Sequence, residues 1–105
     1  MIAVDKENFE AEVKGQKGLV LVDFWSESCE SCKALMPEVA ALGEKYASQV
    51  KFTKLDVAKA RRLAIGEQVL GLPTIVLYKD GQKIGEVTKD DVTADSIEDM
   101  IKKNL

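Results

Sequence analysis

From Leu19 to Trp25 the chain reads LVLVDFW, an apolar run with β-branched Val20 and Val22, broken only by Asp23. Such a run suits a strand buried on both sides, and a strand of that kind needs covering elements above and below it. The flanking sequence supplies them. Phe9 and Val13 stand four apart ahead of Gly15 and predict a helix over 5–14. Leu35, Val39, Leu42 and Tyr46 recur at helical spacing and predict an amphipathic helix over 31–47, with Pro37 inside it as an expected kink because proline removes a backbone donor. VKFTKLDV predicts a second buried strand, residues 58–68 a helix, and TIVLYK and QKIGEV a hairpin about Asp80-Gly81. TADSIEDMIKKNL predicts a closing helix with Ile97, Met100, Ile101 and Leu105 on its inner face. This β/α alternation followed by a hairpin and a helix implies an α/β fold, a central mixed sheet flanked by helices on both faces.

The 105 residues, 46% of them hydrophobic, suit one domain over 1–105, with no repeat, linker or low-complexity tract to divide it. The 15 Lys plus Arg against 18 Asp plus Glu give a net charge of -3, and no basic run is long enough to follow a phosphate backbone, which argues against nucleic acid. No apolar stretch reaches the roughly 18 to 20 residues that cross a bilayer. The N-terminus turns charged at Asp5 and lacks a secretory h-region, so a cytoplasmic location is expected, although an exported chain already freed of its signal would read the same.

Both cysteines lie in SESCESCK, with Cys29 just after the buried strand and Cys32 in the first turn of the following helix. A helix N-terminus carries unsatisfied N–H groups and partial positive charge, which favour a thiolate and make a nucleophile. The two-residue spacing lets Cys32 reach a mixed disulfide formed on Cys29, giving a reversible two-electron switch. Three plainer readings compete. The cysteines could be small buried hydrophobes. They could hold zinc, but a closed site needs four ligands and the chain has two cysteines and no histidine, so no metal is expected. They could form a purely structural disulfide, which would close too small a loop to constrain the chain much.

Asp23, six positions before Cys29, is a carboxylate in an apolar strand and asks for a reason. One is a general base that, through a water, takes the proton of Cys32; the alternative is a solvated edge residue. Trp25 is either a core aromatic or a plate packed under the cysteines.

VDFW followed by Cys-x-x-Cys-Lys, the proline in the succeeding helix, FTKLDV, GLPT and KDG, in that order and spacing over nearly the whole chain, resemble the thioredoxin family. The resemblance implies a four- or five-stranded sheet with four helices, and dithiol–disulfide exchange with no cofactor beyond a redox-active Cys29–Cys32 disulfide. It implies Cys29 as the attacking thiol, Cys32 as the resolving thiol, Lys54 as the lysine that tunes Asp23, and Pro73 as a cis-proline facing the sulfurs. Lys54 could equally be an ordinary exposed strand lysine, and Pro73 a trans proline opening the strand at Thr74. With a cis bond, Gly71 allows close approach and Leu72-Pro73 offers the N–H and C=O of Leu72 to a substrate strand.

The implied partners are a flavoprotein thioredoxin reductase and disulfide-containing proteins, met by a monomer. CKALMPEV, ARRLAI, LGLPTI and EVTKDD are similar to the atypical thioredoxins of amino-acid-fermenting anaerobes that serve glycine reductase-type selenoenzymes. The chain departs from the usual family text at Glu30 and Ser31, which replace a glycine and a proline. Glu30 is expected to oppose a thiolate beside it. Ser28 removes a rim aromatic, and EVTKDDV lacks the family's small residue before the last helix. A protein-disulfide reductase is the favoured reading. A non-catalytic subunit using the fold as a scaffold, or a disulfide oxidase or isomerase, are the alternatives.

Overall fold

In the computed structural model, which describes Met1 to Leu105, the apolar run is the middle strand of a five-stranded sheet. The strands are β1 (Ile2–Val4), β2 (Leu19–Trp25), β3 (Val50–Asp56), β4 (Thr74–Lys79) and β5 (Gln82–Thr88), in the order β1-β3-β2-β4-β5. β2 pairs parallel with β3 along its whole length and antiparallel with β4, so the expected mixed sheet is present. The helices are α1 (Glu30–Lys45), α2 (Arg61–Gly66) and α3 (Ala94–Lys102), with a π-helical turn at Glu10–Lys14.

Alternation along β2 divides the core in two. Val20, Val22 and Phe24 pack with Phe9, Val13 and Ala64 on the face covered by the π-turn and α2. Leu21 packs with Leu35, Val39, Ile97 and Ile101 on the face covered by α1 and α3. α1 is tied to α3 at its far end, where the hydroxyl of Tyr46 and the ammonium of Lys45 both donate to Glu98 Oε2, at 2.5 and 2.6 Å. Pro37 lies inside α1 as expected, on its exposed side.

Several elements differ from their sequence expectation. The helix over 5–14 contracts to the Glu10–Lys14 turn because Asp5 and Asn8 cap each other's backbone and because Gly15 N–H reaches Glu10 O, at 2.6 Å, rather than the residue four back. Phe9 and Val13 are still buried. The helix over 58–68 splits into a 3₁₀ turn, Val57–Lys59, and α2, because Ala60 is extended in φ at -150°. Leu105 falls beyond the end of α3 and is exposed rather than inward. β1 has no counterpart among the expected elements, because three residues are too few to show a period.

The hairpin turns at Asp80-Gly81, as its sequence predicts. Asp80 and Gly81 have φ of 53° and 81°, the pair of positive values that a two-residue hairpin with native twist requires. Asp80 also locks the turn to the chain before β2, accepting from Gly18 N–H at 2.7 Å and donating its own N–H to Gly18 O at 3.1 Å. A Cβ on Gly81 would collide with the carbonyl of Lys14. Gly81→Ala should therefore cost about 1–3 kcal/mol, read as a lower urea midpoint with an unchanged slope. Gly66, at the end of α2 with open space about it, serves as the control, and Gly66→Ala should be neutral or slightly stabilising. Equal losses at the two positions would contradict the turn geometry.

Candidate active site

β2 ends at Trp25, and the chain crosses Ser26–Ser28 before Cys29 takes the N-cap position of α1. The N-cap geometry is made by the sulfur itself. Cys29 is extended at φ -96° and ψ 99°, and its Sγ accepts the N–H of Cys32 at 3.2 Å, one of the donors a helix start leaves free. Cys29 and Cys32 are joined as a disulfide with their Cα atoms 5.3 Å apart. Cys29 is half-buried, whereas Cys32 is fully buried. The hydroxyl of Ser31 lies 3.6 Å from Cys29 Sγ, a second polar group beside that sulfur.

The Glu30 side chain is 88% exposed and lies 3.9 Å from Lys33, which also meets Glu27 at 3.8 Å, so an ammonium and water screen its charge.

Asp23 is completely buried, and neither carboxylate oxygen has a protein donor. It shares its sheet face with Leu21, under α1 and α3, and stands in register with Lys54 of β3 and Ile75 of β4. The solvated-edge alternative is excluded. Burial drives the Asp23 carboxyl up to about 7, and the nearby positive charge of Lys54 offsets only part of that rise. Lys54 is half-buried and makes no salt bridge within 4.0 Å; its ammonium sits 5.9 Å from the centre of the half-buried Trp25 ring. The register of β2 and β3 thus gathers Asp23, Lys54 and Trp25 at one end of the sheet.

The segment before β4 supplies another wall. The Leu72-Pro73 peptide bond is cis. Thr74 Oγ1 donates to Gly71 O at 2.6 Å, and Pro73 O accepts the N–H of Lys89 at 2.7 Å. Leu72, by contrast, makes no backbone hydrogen bond within the chain through either its N–H or its C=O. Leu72 and Pro73 share a hollow of about 290 Å³ with Ser31 and Leu35, which joins this segment to the start of α1.

Lys89 was not foreseen. It stands where EVTKDDV lacks a glycine, adopts φ 53°, lies against Gly71 closely enough that a Cβ there would clash with it, and borders the same hollow. A positive φ at lysine is uncommon and leaves no signal in the text. No three potential metal ligands cluster, and no helix is long and apolar enough to cross a membrane.

Because the folded carboxyl of Asp23 titrates near 7 and the unfolded one near 3.8, the native chain holds more protons between those values and loses stability as pH rises through them. At about 1.4 kcal/mol per pKa unit the full cost above pH 7 is about 4 kcal/mol. Asp23→Asn should remove it. Urea unfolding of the oxidised proteins should show the variant's advantage growing by about 2–3 kcal/mol between pH of about 5 and about 8. A constant difference would mean that Asp23 does not titrate in this range.

Comparison with known proteins agrees with this geometry. The family described as Thioredoxin matches residues 1–103. A thioredoxin of Acetoanaerobium sticklandii is 62% identical over 105 residues, covering 100% of both chains. One of Peptoclostridium acidaminophilum is 52% identical over 105 residues, covering 100% of this chain and 96% of the relative. Thioredoxin C-2 of Corynebacterium nephridii is 36% identical over 80 residues, 76% of this chain and 74% of its own. With its Cys-x-x-Cys disulfide at the start of a helix beside a central mixed sheet, the chain belongs to the thioredoxin family of dithiol–disulfide oxidoreductases.

Proposed function

We propose that residues 1–105 work as one redox domain that reduces the disulfides of partner proteins, with Cys29 as the attacking and Cys32 as the resolving thiol. One observation carries this assignment: of the two sulfur-bearing residues only Cys29 is accessible, Cys32 being fully buried. In the dithiol form the Cys29 thiolate bonds to one partner sulfur and the other partner sulfur leaves as a thiolate. Cys32 then loses its proton, attacks Cys29 Sγ and expels the second partner sulfur. Two electrons pass to the partner, and the chain ends as the Cys29–Cys32 disulfide.

Asp23 is the acceptor of the Cys32 proton through a water. Its buried oxygens are free of protein donors, and a carboxyl titrating at about 7 is ionised in a useful fraction at neutral pH. Lys54 keeps that fraction from vanishing by opposing the burial. Trp25, Gly71, Leu72, Pro73 and Thr74 form the substrate-binding side. The unpaired N–H and C=O of Leu72 offer main-chain hydrogen bonds to an extended partner segment, a mode that reads little sequence. Glu30 and Ser31 are the variable positions that set the couple's properties, Ser31 by its hydroxyl beside Cys29.

The chemistry needs no cofactor beyond this disulfide and no metal. A flavoprotein thioredoxin reductase would return the disulfide to the dithiol, in the cytoplasm and with the protein as a monomer. The resemblance of CKALMPEV and EVTKDD to thioredoxins of glycine reductase systems supports selenoenzyme components of that type among the acceptors.

Cys32→Ser should accumulate a covalent mixed disulfide with a protein substrate, because attack survives and resolution does not, whereas Cys29→Ser should form none. Mass spectrometry of the unreduced products reads the difference, and trapping by the Cys29 variant would reverse the roles. A reduction potential near the about -270 mV typical of thioredoxins is expected, and a value near about -120 mV would make the protein an oxidant instead.

A further inference from the structure

We propose that Lys89 is a specificity-determining residue of the exchange reaction, its ammonium favouring partner proteins that carry a carboxylate next to the disulfide being reduced. This rests on the reading of the chain as a protein-disulfide reductase that holds its partner through the main chain of Leu72. The register of the hairpin sets where Lys89 stands. Thr88, the last residue of β5, pairs with Thr74, the first of β4, so the next residue of one strand falls opposite the residue before the other. The N–H of Lys89 accordingly donates to Pro73 O at 2.7 Å, and its C=O accepts the N–H of Val92 at 3.1 Å. Lys89 is thereby held on both sides of its α-carbon, at a φ of 53° that a glycine would adopt without strain. A side chain kept at such a position, beside the reacting sulfurs, points to a use for that side chain.

The side chain, although exposed, folds back across Gly71. Its Cε occupies the space that a Cβ on Gly71 would need, and its Nζ lies 3.4 Å from that Cβ position. Gly71 precedes Leu72, whose N–H and C=O have no backbone partner within the chain. An extended partner segment that pairs with Leu72 therefore runs past the Lys89 ammonium. Its cysteine must at the same time reach Cys29. Ser31, with its hydroxyl 3.6 Å from Cys29 Sγ, borders one hollow of about 290 Å³ together with Leu72, Pro73 and Lys89. The residues flanking the partner's cysteine are thus the ones that the ammonium meets, and a carboxylate there gains a charge-assisted contact once the partner is docked. Asp90 borders the same hollow with a charge of opposite sign, so the contribution of Lys89 is read by removing its ammonium alone.

The probes are two symmetrical disulfides of a short peptide with one cysteine. One has an aspartate on each side of the cysteine; the other has asparagine at both places, which keeps the shape and removes the charge. Pre-reduced protein is mixed with each probe, the reaction is quenched with acid, and peptide thiol is separated from peptide disulfide. The aspartate rate divided by the asparagine rate is compared between the wild type and Lys89→Met, which keeps the stem without the charge. Because the same two probes meet both proteins, their own reactivities cancel. At about 0.1 M salt the ratio should fall about threefold in Lys89→Met and recover in Lys89→Arg, and the difference should close by about 0.5 M salt. Lys79→Met changes the net charge equally and should leave the ratio as it was. Lys79 lies at the far end of β4 from Thr74. At about 3.4 Å per residue that is about 17 Å, beyond the screening length of about 10 Å.

An unchanged ratio in Lys89→Met overturns the proposal, as does an equal fall in Lys79→Met, a fall that survives salt, or no recovery in Lys89→Arg. Lys89→Gly, which suits the φ of 53°, gives the same reading even where the methionine protein does not fold. Failure of the wild type to reduce the uncharged hydroxyethyl disulfide, which has no flanking residues to meet Lys89, would count against the reductase reading itself, separately from the role of Lys89.

Discussion

The pairing of β2 on both of its edges is the constraint on which the rest of the molecule depends. A strand hydrogen-bonded to β3 and β4, with apolar side chains on both faces, has no free edge and no exposed face. Both covering layers follow from it, because Val20, Val22 and Phe24 require one and Leu21 the other. So does the place of the disulfide. The strand delivers the chain at Trp25 to one end of the sheet, and the short crossing to α1 leaves Cys29 at the helix start, half in water, with Cys32 turned inward.

The cost of this arrangement falls on Asp23. The carboxylate of Asp23 is buried within the central strand, and Lys54, its neighbour in register, makes no salt bridge with it. Desolvation therefore outweighs the attraction, and the carboxyl titrates near neutrality instead of in the usual acidic range. A neutral side chain of the same shape, such as asparagine, would be free of this desolvation cost. On the proposed role of Asp23 as proton acceptor, this cost in stability and the function fall on one residue.

The two flanks of the disulfide differ in the charged residues that line them. On the α1 side, acids and Lys33 neutralise one another on the surface. On the α2 side, Asp5 and Asp56 keep their charge while each accepts backbone N–H groups through one oxygen. The break at Ala60, which shortens α2, brings Lys59, Arg61 and Arg62 together around the entry to that helix.

How far the sequence alone reaches can be judged element by element. LVLVDFW, VKFTKLDV and the DG hairpin were legible because runs of apolar, aromatic and β-branched residues and a turn demanding positive φ are local properties. α1 was legible from its spacing, and the cysteine pair from its position at a helix start. The resemblance to thioredoxins pointed to the cis bond before Pro73, where composition alone favours trans. What the text could not carry were properties decided between segments. β1 exists because β3 offers it an edge, and the helix before Gly15 shortens because Asp5 and Asn8 prefer backbone donors to helical continuation. Glu30 looked like a charge beside a thiol, but only the fold decides that its side chain points to Lys33 and to water. Lys89 gains its meaning from residues distant in sequence, Gly71 and Pro73. Local propensity is written in the order of residues; burial, register and the sign of a surface are sums over neighbours that only the folded chain brings together.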